Sequence, residues 1–161
     1  MIGNNCGHIP EQPRWFTPPE QHNRPHLIKK MLEEIRAYYT NPALTIPSLN
    51  LANGSQRQQR SERREGCSIV LGCLMHYVDL ATLRVGIPQA DGQFSGITMA
   101  FIAEKCTISM RRTERAVADL VASGLITVYP RCEKLDEVTY KGFAAIRTLS
   151  TKLFCLFGLG K

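Results

Sequence analysis

The stretch Gly96–Leu149, GITMAFIAEKCTISMRRTERAVADLVASGLITVYPRCEKLDEVTYKGFAAIRTL, decides the fold. Thr98 can cap a short helix, MAFIAEKC, and Ser109 a longer one, MRRTERAVADLVAS, which Gly124 closes. Two β-rich runs follow, LITVYP and EVTYKGFAAIRTL, with RCEKLDE between them, and they read as a hairpin. Short helix, turn, helix, hairpin is the order of a winged helix-turn-helix. In such a unit the second helix enters the DNA major groove, led by its N-terminal residues.

A helical wheel tests that second helix. Ala116, Val117, Leu120 and Val121 gather on one side with Thr113, while Arg111, Arg115, Ala118 and Ala122 fall opposite and Arg112 lies on the flank. Three arginines therefore crowd the first two turns and are expected to point outward. The N-terminal end of a helix carries partial positive charge, so cations there are destabilising in an isolated protein. A DNA duplex removes the conflict. Arginine can also grip guanine O6 and N7 with two bonds. Arg111, Arg112 and Arg115 are the candidate base readers, and Ala118 and Ala122 leave room for the groove. Pairing of Arg111 with Glu114 and of Arg115 with Asp119 on a solvated face is the competing reading. Ser109 at the helix start and Arg131 and Lys134 at the hairpin tip are candidate backbone contacts.

Upstream, a long helix is expected from about Ser55 to Val78. Its second half carries the stripe Ile69, Val70, Cys73, Leu74, Tyr77 and Val78; its first half is RQQRSERRE. Gly66 could mark a bend between the two. Arg57, Arg60 and Arg64 would share a face, with Arg63 beside them, and these four are candidate phosphate contacts. After Asp79, LRVGIP reads as a short strand, and Asp91-Gly92 as a turn. Leu27, Ile28, Met31, Leu32 and Ile35 recur at helical spacing from Pro25 until Asn41-Pro42, and 41–54 reads as a connection. Residues 1–25 hold five of the nine prolines and form an extended arm that Trp15 and Phe16 can pin to the body. The organisation expected is a Pro-rich arm (1–25), an N-terminal helix and linker (26–54) and a winged-helix DNA-binding domain (55–161). The fold class is mainly α with a small β-hairpin, a winged helix-turn-helix preceded by a helical N-terminal extension.

Composition narrows the function. Twenty Lys and Arg against 14 Asp and Glu give a net charge of +6, which attracts polyanions. No run of about 20 apolar residues exists, so no membrane span is expected. The start, MIGNNCGHIPEQ, lacks a secretory pattern, so a cytoplasmic chain is expected. The six cysteines contain no CxxC pair, and Cys67 and Cys73 fit small core positions. Cys6, His8, His22 and His26 match no familiar zinc spacing and read as loop residues. Paired carboxylates, a nucleophile elbow and a P-loop are missing, and His76 fits a core position, so no enzyme and no cofactor are expected.

The same residues carry a family likeness. The arginine run before an apolar helix, the HYVDLATLRV passage (His76–Val85) and the SMRRTERA…LVASGLIT core (Ser109–Thr127) resemble the RepA replication initiators of IncFII-like plasmids. WFTPPE, at Trp15–Glu20, is similar to an element near the start of that family. The resemblance covers about residues 15–150. It implies binding of double-stranded DNA at a plasmid origin in a bacterial cytoplasm, and recruitment of host replication proteins such as a helicase, a loader or an initiator. Ser109, Arg112 and Arg115 would then belong to the DNA-reading helix, and Arg57 to Arg64 to the basic helix start. Such initiators continue into a further basic region, whereas this chain stops at Gly160-Lys161 after an apolar segment, as a truncated or short relative would. In a winged helix that binds protein and not DNA, that apolar tail, LFCLFGL, would be a docking surface or a homodimer contact. A winged-helix transcriptional regulator is the alternative function.

Overall fold

The computed structural model describes residues 8–19, 23–52, 58–88, 92, 94–134 and 140–157, with the side chains of 130–134 and 140–145 outside that description. The first helix, α1 (His26–Thr40), follows Pro25 and buries Ile28, Met31, Ile35, Tyr38 and Tyr39. Asn41-Pro42 ends it, as expected. The following segment is not merely a connection. It holds two short helices, α2 (Pro42–Thr45) and α3 (Pro47–Asn50), each with proline at its first position, where the missing N–H costs nothing.

The central helix, α4 (Ser61–His76), is shorter than the expected 55–78. Arg60 stands before it with φ −62° and ψ 152°. The cause is Gln59, which is 1% exposed and whose backbone N–H donates to Asn50 Oδ1 at 3.0 Å. That bond commits the amide outside a helix. From Glu65 to His76 every residue of α4 is buried, so it is the axis of the core. Gly66 interrupts nothing. Gly72 matters for packing, because a Cβ there would meet the Cβ of Phe16 at 3.0 Å. The arm seats Phe16 on this bare patch of backbone, and Trp15 stacks edge-on against Tyr39 with centroids 5.9 Å apart.

The expected strand LRVGIP is split at Gly86 into β1 (Arg84–Val85) and β2 (Ile87–Pro88). A side chain at Gly86 would come within 2.3 Å of the Ser95 carbonyl, in β3 (Phe94–Ser95), the partner of β2. Then come α5 (Met99–Cys106) and α6 (Met110–Ala122), β4 (Ile126–Lys134), β5 (Tyr140–Leu149) and α7 (Thr151–Leu156). Thr98 and Ser109 cap their helices as the sequence suggests, accepting from Phe101 N–H at 3.0 Å and Arg112 N–H at 3.2 Å. Gly124 (φ +80°) closes α6 with the Gly124 N–H on Val121 O and the Leu125 N–H on Leu120 O.

The three-stranded sheet is antiparallel in the order β1-β5-β4. Its register shifts between Tyr129 and Arg131, where Pro130 has no N–H to give the ladder. The molecule is thus mainly helical with a small antiparallel sheet. α4 packs against α1, α5 and α6, and one apolar cluster runs from Phe16 in the arm to Phe154 in α7. Cys67 and Cys73 lie within it, and so does Cys106. Among the described residues no helix is long and apolar enough to cross a membrane.

Candidate nucleic-acid interface

Two faces of α6 differ sharply. Thr113, Ala116, Val117 and Leu120 turn into the core, whereas Met110, Arg111, Glu114, Arg115, Ala118 and Ala122 face solvent. Val121 joins the solvent side, 43% exposed, rather than the core side that the wheel gives it. The larger correction is Arg112. It does not point outward; it is 4% exposed. Its Nε lies 2.9 Å from Glu62 Oε1, and its Nη2 lies 3.1 Å from Glu65 Oε1 and 2.9 Å from the Glu62 carbonyl. Arg112 is buried in the α4–α6 interface at this point, and a buried guanidinium needs carboxylates to stay charged.

Glu65 is a hub. Oε2 lies 3.0 Å from His8 Nδ1 and accepts the Arg14 backbone N–H at 3.0 Å, while His8 Nε2 is 3.0 Å from Ser61 Oγ. Burial would raise the Glu65 carboxyl, but the Arg14 amide, the His8 ring and Arg112 outweigh it and hold it below its ordinary value. Asp119 is a second hub. It accepts both arms of the Arg63 fork, at 3.0 and 2.7 Å, and Gln59 Nε2 at 2.9 Å. Gln59 in turn accepts the Tyr38 hydroxyl at 2.9 Å. The arm, α1, α3, α4 and α6 are therefore tied through polar groups as well as through the core.

The candidate residues separate accordingly. Arg111 is exposed. Arg115 is 44% exposed in its side chain and bonds Glu62 at 3.0 Å, not the Asp119 expected of a surface pair. Ser109 is exposed and caps α6. Arg60 is exposed but precedes α4 instead of riding on it, so Arg60 and Arg64 do not share the expected helix face. Arg57 lies outside the described residues. Arg63 is spent on Asp119. Arg64 donates to the carbonyls of Tyr39, at 2.9 Å, and of Gln59, and stacks 5.2 Å over the Tyr39 ring. Both are held by the chain itself rather than offered in a phosphate row. The backbones of Arg131 and Lys134 pair with Phe143 and Tyr140 in the hairpin, and their side chains lie outside the description.

Within this network four guanidinium groups (Arg14, Arg63, Arg112, Arg115) meet three carboxylates (Glu62, Glu65, Asp119). Two of the arginines share Glu62. Positive charge is left over, and Arg60 and Arg111 add to it without an ion pair among the described residues. Sequence reasoning missed His8, Gln59 and Glu65. The signal present was Glu62 and Glu65 at i and i+3 beside a helix-flank arginine, a pattern equally compatible with a solvated surface. His76, 2% exposed, packs between Phe16 and Tyr77, with centroids 5.6 and 4.8 Å away. Of the candidate loop cluster, Cys6 and His22 lie outside the described residues and His8 serves Glu65. No protein-family model, no curated protein and no solved structure matches this chain.

Proposed function

We propose that the chain is a winged-helix protein that binds double-stranded DNA at a plasmid replication origin. The element order supports the fold reading: α4, β1, the inserted β2–β3 pair, α5, α6, then β4 and β5 as the wing, with the sheet arranged β1-β5-β4. One observation carries the DNA reading. The solvent face of α6 combines Arg111 and Arg115 with the small Ala118 and Ala122 and carries one carboxylate, Glu114, while Arg112 and Asp119 are locked inward. Arg111 and Arg115 enter the major groove and read bases. Arg60 holds a phosphate, and Arg131 and Lys134 extend along the backbone from the wing. Arg112 and Arg63 touch no base; they fix the angle of α6 against α4, so that the reading face is preformed. The initiator role, the bacterial cytoplasmic setting and the host replication partners follow from the likeness to the RepA initiators of IncFII-like plasmids.

Footprinting on the origin of the source plasmid, at two salt concentrations, tests this. Protection of discrete origin sites, lost in Arg111→Ala, is the expected result. Protection only of promoter operators would turn the reading to a transcriptional regulator. A chain that protects no duplex at low salt would overturn it.

A further inference from the structure

A cavity of about 720 Å³ opens at the far end of α4, and the duplex-binding reading leaves it unused. It lies where α4 ends at His76, about 16 Å along that helix from Glu65 in the arginine network. Much of the His76–Val85 passage lines it, together with residues of β2, β3 and α5. Its walls carry two kinds of group in one space. Tyr77, Phe94 and Phe101 supply rings, and Arg24, Arg84 and Lys105 supply cations. The Arg84 guanidinium sits 4.9 Å over Phe94, and the Lys105 ammonium 5.5 Å over Phe101. Tyr77 meets Phe101 edge-on at 5.3 Å.

Among the described residues the three cations outnumber the carboxylate that faces them, Asp79, whose charge attracts Arg84 and Arg24. Among the described residues Arg24, Arg84 and Lys105 make no ion pair, and Asp79 is the sole carboxylate in the lining. Asp79 is already engaged: Oδ2 accepts the Thr82 hydroxyl at 2.8 Å and Oδ1 the Ala81 N–H at 3.1 Å. Arg24 is oriented by its bond to the Val78 carbonyl, and its Nε is buried with no partner among the described residues. Cations alone would suit any phosphate, and rings alone any apolar molecule. Both in one cavity of small-molecule size suit a ligand that is planar at one end and multiply anionic at the other.

We propose that this cavity binds a free nucleoside phosphate, its base among Tyr77, Phe94 and Phe101 and its phosphates against Arg24, Arg84 and Lys105. The site is independent of the DNA face. The test titrates the full chain with N-methylanthraniloyl-ATP and competes it with ATP, adenosine, sodium tripolyphosphate or a short oligothymidylate. Saturable binding is expected, displaced by ATP about tenfold better than by adenosine or tripolyphosphate, since each lacks one half of the recognition. Arg84→Gln and Lys105→Gln should each weaken ATP by about fivefold or more with an unchanged melting temperature, because both side chains are exposed. Tripolyphosphate equal to ATP would reduce the site to a charged patch. ATP affinity unchanged in both variants would place binding elsewhere. Oligothymidylate binding more tightly than ATP, with the same dependence on Arg84, would overturn a free nucleotide in favour of a single strand.

Discussion

Arg112 Nη2 lies 3.1 Å from Glu65 Oε1 across the α4–α6 interface, and the two side chains are 4% and 0% exposed. A buried pair of this kind is costly to break from one side, because the remaining charge is left buried and unpaired. Arg112→Ala is therefore expected to destabilise the fold by about 3–5 kcal/mol in urea unfolding. Arg111→Ala, on the solvent face, should stay within about 0.5 kcal/mol of the parent. Two neighbouring arginines thus differ by a whole class of effect. A loss under about 1 kcal/mol for Arg112→Ala would mean that the guanidinium is solvated after all.

Glu65 gives the fold an acid-sensitive point. Its carboxyl is held below its ordinary value of 4.5, so the folded state binds fewer protons than the unfolded state in the window beneath that value. The stabilisation is fully present above the unfolded value and is lost as pH falls through the depressed folded one. Urea midpoints should therefore fall on acidification below about pH 4.5. Glu65→Gln should be less stable at neutral pH and should lose part of that acid dependence. A parallel pH profile for the variant and the parent would detach the effect from Glu65.

How far the sequence was legible follows from what each signal encodes. Capping chemistry is local, so Thr98, Ser109 and Gly124 placed α5 to the residue and α6 to within one, Ser123 being its C-cap and not its last helical residue. The hairpin was visible because its two runs are rich in β-formers. Arg112 was misread because a helical wheel shows direction but not what stands opposite, and the carboxylates opposite belong to a helix nearly fifty residues earlier. The start of α4 was misplaced for a related reason. Arg57 to Arg64 looks uniformly helical, and the bond that the Gln59 N–H donates to Asn50, outside that run, decides otherwise. The rings and cations around the cavity were visible singly, but their convergence depends on a strand turn, a helix end and the arm.

Two turn residues should respond in opposite directions. Gly124 sits at φ +80° just beyond α6, so Gly124→Ala should cost about 1 kcal/mol through left-handed backbone strain. Thr107, between α5 and α6, adopts φ +54°, an unfavourable place for a β-branched residue. Thr107→Asn should raise the melting temperature, since asparagine tolerates that conformation. The exchange keeps the backbone carbonyl that accepts Arg14 Nη1 at 3.4 Å. Thermal unfolding by circular dichroism reads both, and a stabilised Gly124→Ala would contradict the αL termination of α6.

The division between reading, positioning and phosphate contact predicts three distinct binding phenotypes. Arg115 keeps only an exposed pair with Glu62, worth at most about 1 kcal/mol to the fold. Arg115→Ala should weaken the specific site by more than about 1 kcal/mol and relax choice at one base pair, with a smaller loss on random duplex. Equal losses on both would make Arg115 a phosphate contact. Arg60→Ala should flatten the dependence of log affinity on log salt by about 0.9 and leave site preference alone. Arg64→Ala should leave that slope unchanged, because its guanidinium is committed to the Tyr39 carbonyl and ring. Fluorescence anisotropy across a salt series separates the three. A slope that falls for Arg64→Ala but not for Arg60→Ala would show that α4 meets DNA through its side and not through the residue before its first turn.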